Sequence, residues 1–303
     1  MAQKNYPAAA VVLYKPDAKA LDQLLSPLDQ NGRRLFIFVN GALEAEIEAR
    51  LKALTNGRLI RSAQNVGHGQ GLNASVEAAR EEGFENIVLL DQDSTPEPDI
   101  IERLSDRFAE LKRSYPQIAV LGPLLVAPSG ENFLPQKYLW RTSTLNEPDR
   151  AVDFVPTSGS LVSIQAWMDV GPFRSNYFIG SIDVEWSLRA WSRGFMCAVA
   201  CDLQMIHRWG PAVSAAEAHK PQILRQADMR NYYFFRNAVD CLKLSYIPLR
   251  WRLRYATILV GQIGLLMCSR RFSPPLRALL RRAIADGWNG RFGPIPSDIT
   301  IDS

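Results

Sequence analysis

Two hydrophobic rhythms alternate along the first half of this chain. Unbroken apolar runs at 8–14, 35–39 and 86–90 are short and bounded by turn residues, so they predict buried strands. Between them, apolar positions recur every three or four residues. Leu21, Leu24, Leu25 and Leu28 form one such stripe behind Asp17, a helix N-cap residue, and Asn31-Gly32 stops it. Residues 43–54 repeat the pattern and end at Asn56-Gly57, ahead of a short strand at 58–61. The order β-α-β-α-β implies a parallel sheet with right-handed crossovers. A helix at 72–82, the strand at 86–90, a helix at 99–114 and a strand at 118–121 extend it.

The rhythm then loosens. Residues 122–150 are rich in Pro, Ser and Asn with isolated aromatics, and read as a long excursion, a lid or an acceptor-side loop. Strand-like runs at 152–155 and 160–164 flank Pro156-Thr157-Ser158-Gly159, which either admits a sugar or phosphate closely or is a tight turn. A helix opens near Gly180 and stops at Gly194, and 195–200 is strand-like. Residues 217–244 are helical in pattern, Pro248 breaks them, and helices at 251–268 and 273–286 precede a polar tail at 288–303.

Chemistry gathers where the strand at 86–90 ends. Asp91 and Asp93 follow Leu90 one residue apart, and Thr95-Pro96-Glu97-Pro98 turns the chain. Open α/β sheets bind ligands outside the carboxyl ends of their strands. Paired hard oxygens there suit Mg²⁺ or Mn²⁺ carrying a diphosphate, or else form a solvated turn with an Asx cap. Upstream, Asn65-Val66-Gly67-His68-Gly69-Gln70-Gly71-Leu72-Asn73 leads into a helix. Its G-x-G-x-G spacing is not the dinucleotide fingerprint; it reads as a phosphate-approaching loop or a plain connector. Asp183 and Glu185 lie in the first turn of their helix, where the dipole favours carboxylates. Two residues apart, they face different ways: Glu185 pairs with Arg189, and Asp183 is left for a cleft, unless both are surface acids. His207, next to Arg208 and Trp209, reads as a packed residue before a metal ligand.

Composition narrows the class. With 47% hydrophobic and 22% charged residues, the 303-residue chain has the make-up of a globular protein with a sizeable core. Four cysteines without CxxC spacing read as thiols of a reducing compartment, and the first residues carry no signal-peptide pattern. The net charge of +4 is uneven: residues 250–291 hold nine arginines and one acid, Asp286. That asymmetry calls for an anionic partner, a membrane face or a nucleic acid. The 251–268 segment is short for a spanning helix; it reads equally as a helix in a membrane interface and as one packed on the core or a dimer partner.

The order of these features resembles the family-two glycosyltransferases of GT-A fold. Tyr14-Lys15-Pro16-Asp17 after the first strand, Asn65-Val66-Gly67, Asp91-Gln92-Asp93 as a DxD motif, Ser158-Gly159-Ser160, Val170-Gly171-Pro172-Phe173 and the 182–189 segment carry the likeness. Leu90-Asp91-Gln92-Asp93-Ser94, with Tyr232-Tyr233 and Arg236-Asn237 downstream, is similar to bacterial rhamnosyltransferases of O-antigen-type polysaccharide assembly. The resemblance implies a Rossmann-like mixed sheet over 1–215 and a helical, basic, membrane-associating region over 216–303. It implies inverting transfer, with dTDP-L-rhamnose as leading donor, to a glycan or lipid-linked saccharide. It also implies a cytoplasmic protein at the inner-membrane surface, with a homodimer as one possible state and no nucleic-acid partner. Tyr14, Asn40, Asn65, Gly67, Gly69, Asn73, Asp91, Gln92, Ser158 and Gly159 would bind the nucleotide-sugar. Asp93 and His207 would hold Mg²⁺ or Mn²⁺, and Asp183, with Glu185 as runner-up, would be the base. Relatives carry Asp-Asn where this chain has Asn40-Gly41, a departure in the nucleoside pocket. A UDP- or GDP-sugar donor, a nucleic-acid-binding protein and a non-catalytic relative are the alternatives.

Overall fold

The computed structural model describes residues 6–97, 99–126, 143–206, 227–269, 273–297 and 299. One mixed sheet runs in the order β3-β2-β1-β4-β8-β5-β9-β7-β6. Its first half is parallel: β3 (Gly57–Ser62), β2 (Leu35–Asn40), β1 (Ala8–Leu13) and β4 (Asn86–Leu90). β8 (Ser160–Ser163) lies antiparallel between β4 and β5 (Ile118–Val126), which pairs parallel with β9 (Met196–Ile206). The short strands β7 (Arg150–Ala151) and β6 (Ser143–Thr144) close that edge. This is the expected GT-A-type mixed sheet with a C-terminal helical extension.

The helices of the first half are α1 (Ala18–Gln30), α2 (Ala45–Lys52), α3 (His68–Glu81) and α4 (Ile100–Ser114). Asp17 caps α1 by accepting from Ala20 N at 2.8 Å, and Leu21, Leu24, Leu25 and Leu28 are its buried face. Every residue of β1, β2 and β5 is buried, because helices cover both faces of the sheet. α5 (Ile164–Val170) and α6 (Ile182–Ser192) follow β8, then α7 (Asp228–Cys241), α8 (Leu249–Cys268) and α9 (Pro274–Asn289) complete the chain. Among the described residues no helix is long and apolar enough to cross a membrane.

Four expectations need correction. α3 starts at His68 and not at Leu72, because the glycine-rich stretch is itself the first helical turn. Packing outweighs the helix-breaking tendency of glycine here: a Cβ at Gly71 would stand 2.7 Å from a Val12 methyl and 2.9 Å from the Phe38 ring. Residues 152–155 are not a strand. Val152 N still donates to Cys197 O at 2.9 Å, but the chain then leaves the ladder, with Phe154 and Val155 buried by packing. Ile164 opens α5, where Ser163 caps the first turn. Residues 288–297 are no free polar tail: Ile295 N donates to the Tyr233 hydroxyl at 2.8 Å, and the Phe292 ring lies 5.7 Å from that of Tyr177. The expected boundary at 215/216, His207 and the start of the 217–244 helix lie outside the described residues.

Candidate active site

Parallel pairing brings the carboxyl ends of β3, β2, β1 and β4 to one edge of the sheet. Tyr14, Asn40, Asn65 and Asp91 collect there by register alone. β8 runs the other way, so its amino end, with Ser158 and Gly159, meets the same edge: Gly159 N donates to Leu89 O at 2.8 Å.

The Asp91–Ser94 turn is braced from within. Ser94 N donates to Asp91 O at 3.0 Å, Asp91 N donates to Ser94 Oγ at 3.1 Å, and Ser94 Oγ lies 2.7 Å from Ser158 Oγ. Gln92 reaches across to the first strand, accepting from Tyr14 N at 2.9 Å and donating to Tyr14 O at 3.2 Å. Gln92 and Ser158 thus fix the loop that carries the two aspartates, which remain half-buried at the edge. Gly159 has φ +76°, and a Cβ there would stand 2.7 Å from the Met205 methyl carbon, so only glycine fits that crossing.

The asparagines form a second brace. Asn40, 2% exposed, donates to Asn65 Oδ1 at 2.9 Å and accepts from Val66 N at 2.8 Å. Asn65 Oδ1 also accepts from Gly67 N at 3.0 Å. Asn73 holds Phe173 by two bonds of 2.8 Å, one to its carbonyl and one from its N–H. The glycines of this stretch face protein. A Cβ at Gly67 would meet Phe178 O at 2.7 Å, and one at Gly69 would meet Ser175 Cα at 3.1 Å. Asn73 and Gly69 therefore position the 173–178 loop.

Asp183 stands at the start of α6 among these elements. Burial is the main cause that raises its carboxyl to about 6; Val184 N–H, donating at 2.9 Å, and the backbone N–H of Thr157 hold it back, and Asp91 pushes it further up. A carboxylate poised near neutrality in a cleft is suited to take a proton. Glu185 is fully buried, bound by Arg189 through bonds of 2.9 and 3.1 Å and by the Tyr246 hydroxyl. It secures α6 and does not face the cleft. His68, which the motif reading passed over, lies 3.9 Å from Asp91. Burial lowers its pKa, Asp91 opposes this, and Arg230 at the exposed start of α7 adds to the lowering. Only the fold could bring residues 68, 91, 183 and 230 together.

Residues 174–181, leading into α6, run through left-handed backbone at Phe178 (φ +66°), Gly180 (φ +80°) and Ser181 (φ +59°). α7 holds them there. Asn237 donates to three carbonyls, Tyr177 O at 3.2 Å, Ile179 O at 3.0 Å and Gly180 O at 2.9 Å. Arg236, fully buried, donates to Tyr177 O at 2.7 Å and Gly293 O at 2.6 Å. Tyr232, Tyr233 and Phe235 are buried in the same packing, which leaves them no part in stacking nucleic-acid bases.

Among the described residues no group of three or more His, Cys, Asp or Glu side chains is arranged to hold a metal ion. Mg²⁺ commonly uses one or two carboxylates together with substrate phosphates and water, so Asp91 and Asp93 fit that chemistry without a closed protein cage.

Residues 18–154 match the family model described as glycosyl transferase family 2. The chain is 24% identical over 253 residues to the dTDP-rhamnosyl transferase RfbF of Shigella flexneri, covering 81% of this chain and 83% of that protein. It is 22% identical over 253 residues to an N-acetylglucosaminyl-diphospho-decaprenol L-rhamnosyltransferase of Mycobacterium tuberculosis, covering 71% and 78%. Among solved structures, S. aureus TarS 1–349 with UDP-GlcNAc superposes with a TM-score of 0.55 at 14% identity, covering 93% of this chain and 80% of that one. GalNAc-T7 with UDP, GalNAc and Mn²⁺ gives 0.55 at 11% identity, over 89% of this chain and 59% of that one. With the sheet order, these findings show a GT-A-type fold, with residues 18–154 similar to glycosyl transferase family 2.

Proposed function

We propose that the protein transfers a sugar, with inversion, from a nucleotide-diphospho-sugar to a hydroxyl of a saccharide acceptor. The observation that carries this reading is Asp183, held beside Asp91 at the ligand-binding edge with its carboxyl near neutrality. Asp183 takes the acceptor proton as the hydroxyl attacks the anomeric carbon. Asp91 and Asp93 face the leaving diphosphate, with His207 as the further ligand expected from sequence. Mg²⁺ or Mn²⁺ bound there supplies charge neutralisation to that diphosphate. One protein base suffices, since no side chain has to protonate the leaving group. Arg230, near enough to act on His68, adds positive charge on the same side.

The donor has two readings. TarS bound to UDP-GlcNAc and GalNAc-T7 bound to UDP share the fold across most of this chain, and they weigh towards a UDP-sugar rather than the dTDP-L-rhamnose first expected. The names of the two rhamnosyltransferase relatives are the observation that keeps dTDP-L-rhamnose as the second reading, with a lipid-linked acceptor. Nucleotide release across UDP-sugars, GDP-sugars and dTDP-L-rhamnose, with Mg²⁺ or Mn²⁺ and then with a chelator, tests both. Release from one donor that the chelator stops, and that Asp93→Asn abolishes, is the expected result. No turnover or binding of any donor would overturn the reading.

A further inference from the structure

Helix α8 shows the structure a second surface that the chemistry does not use. Its inner side is buried through Trp251, Tyr255, Leu259 and Leu266. Trp251 packs on Phe154 with ring centres 5.8 Å apart, and Tyr255 sits beside Ser181 and Asp183. Its outer side carries Leu249, Leu253, Val260 and Met267, which are 63%, 59%, 71% and 60% exposed. Their spacing of four, seven and seven residues confines them to an arc of about 40° on a helix. Among the described residues nothing lies within 4 Å of a Cβ built at Gly261 or Gly264, so the neighbouring face is open among them as well. A helix on the surface of a globular protein ordinarily turns polar residues outward at these positions.

We propose that this outer stripe of α8 seats the protein on an anionic lipid surface, with the helix lying in the interface. Charge selects that occupant over a second copy of the chain. The helix contains no acid, Arg252 and Arg254 stand near its beginning, and Arg270 and Arg271 follow its end in sequence. With arginines and no acid along the helix, a second copy packed through the stripe would offer these arginines no opposite charge from its own α8. An anionic membrane meets the arginines of this region favourably. α9 repeats the design: Arg277, Arg281, Ile284 and Trp288 recur at helical spacing on its exposed side, with Trp288 66% exposed. Because the inner side of α8 touches the entry to α6, the same helix that meets lipid also supports the residue placed to activate an acceptor.

The test uses the whole chain and does not depend on the donor reading. Co-sedimentation is measured with phosphatidylcholine vesicles and with vesicles that also contain phosphatidylglycerol, at low and high salt. The expected result is binding to the phosphatidylglycerol vesicles, weakened by salt. Val260→Asp with Met267→Asp should lower partitioning at least tenfold, and Arg281→Gln about fivefold, the effect of one charge near an anionic surface. Both altered apolar residues are exposed, so the melting temperature of the variant should match wild type. Equal binding to both vesicle types, no binding to either, or unchanged binding by the double variant would overturn the proposal. So would a wild-type dimer that the double variant converts to monomer, since the stripe would then be a subunit interface.

Discussion

The strand-edge loops and the C-terminal helices hold the candidate site in opposite ways. At the strand edge, Asp91 and Asp93 are half-buried on a turn fixed by Ser94 from within and by bonds to Tyr14 and Ser158 on neighbouring segments of the sheet edge. In the C-terminal region the anchoring side chains are themselves fully buried: Asn237 and Arg236 reach back about sixty positions to the loop before α6. The first arrangement leaves carboxylates available to a ligand. The second removes freedom from a backbone that would otherwise not remain in left-handed conformations. Chemistry and positioning are therefore separable, and substitutions in the two regions should separate them.

The largest effect is expected from Asp183→Asn. Loss of a general base lowers rate by about 10²–10⁴-fold. This variant should also be more stable than wild type near neutral pH, by about 1–2 kcal/mol. The sign follows from the raised carboxyl: its folded value of about 6 exceeds its ordinary one, so ionising it in the folded state costs stability as pH rises through that value. Chemical denaturation at pH 7.5 and at pH 4 checks this, with the gain present at the higher pH and absent at the lower. In wild type, kcat/KM should fall as pH drops below about 6, where Asp183 becomes protonated.

Glu185→Ala comes next. It leaves Arg189 and the Tyr246 hydroxyl without their shared partner in a buried setting, and should cost about 3–5 kcal/mol by denaturant unfolding. Activity at a temperature where the variant stays folded should survive better than in Asp183→Asn. The reverse order would make Glu185 the base and merge the two regions' roles.

Asn237→Ala should cost about 1–3 kcal/mol, because the partly buried Ile179 and Gly180 carbonyls lose this donor and Tyr177 O keeps only Arg236. It should also slow turnover by releasing the loop that sets Asp183, with hydrogen exchange faster at 177–181 and unchanged in β1 and β4. Gly71→Ala should cost about 1–3 kcal/mol, since its methyl has to displace Val12 and Phe38 in a packed core. Its kinetics at low temperature should remain near wild type, because Gly71 serves the seating of α3 and touches no ligand.

Local signals explain what was legible in the sequence. Strand runs such as 35–39 and the leucine stripe of α1 depend on burial and period, which the sequence displays directly. Asp91 and Asp93 could be placed at the strand edge, and Asp183 in the first turn of its helix, because the apolar run before the one and the helical pattern after the other mark those ends. The packing of the glycines was hidden for a physical reason: residues 12, 38, 175 and 178 approach Gly67, Gly69 and Gly71, and none of those approaches is visible within ten residues. The same holds for Asn73, Asn237 and His68, whose partners lie at 173, 177–180 and 91. The 288–303 segment looked like a tail because its polar composition hid Phe292, Gly293 and Ile295, which dock on α7 and on the loop before α6.

The most direct test of the central claim is nucleotide release measured on the wild-type chain and on Asp183→Asn, with the donor panel and an added saccharide acceptor. If Asp183 activates the acceptor and the strand edge binds the donor, acceptor-dependent release disappears in the variant while donor binding by calorimetry is unchanged. Acceptor-dependent release that persists in Asp183→Asn at the wild-type rate would contradict it.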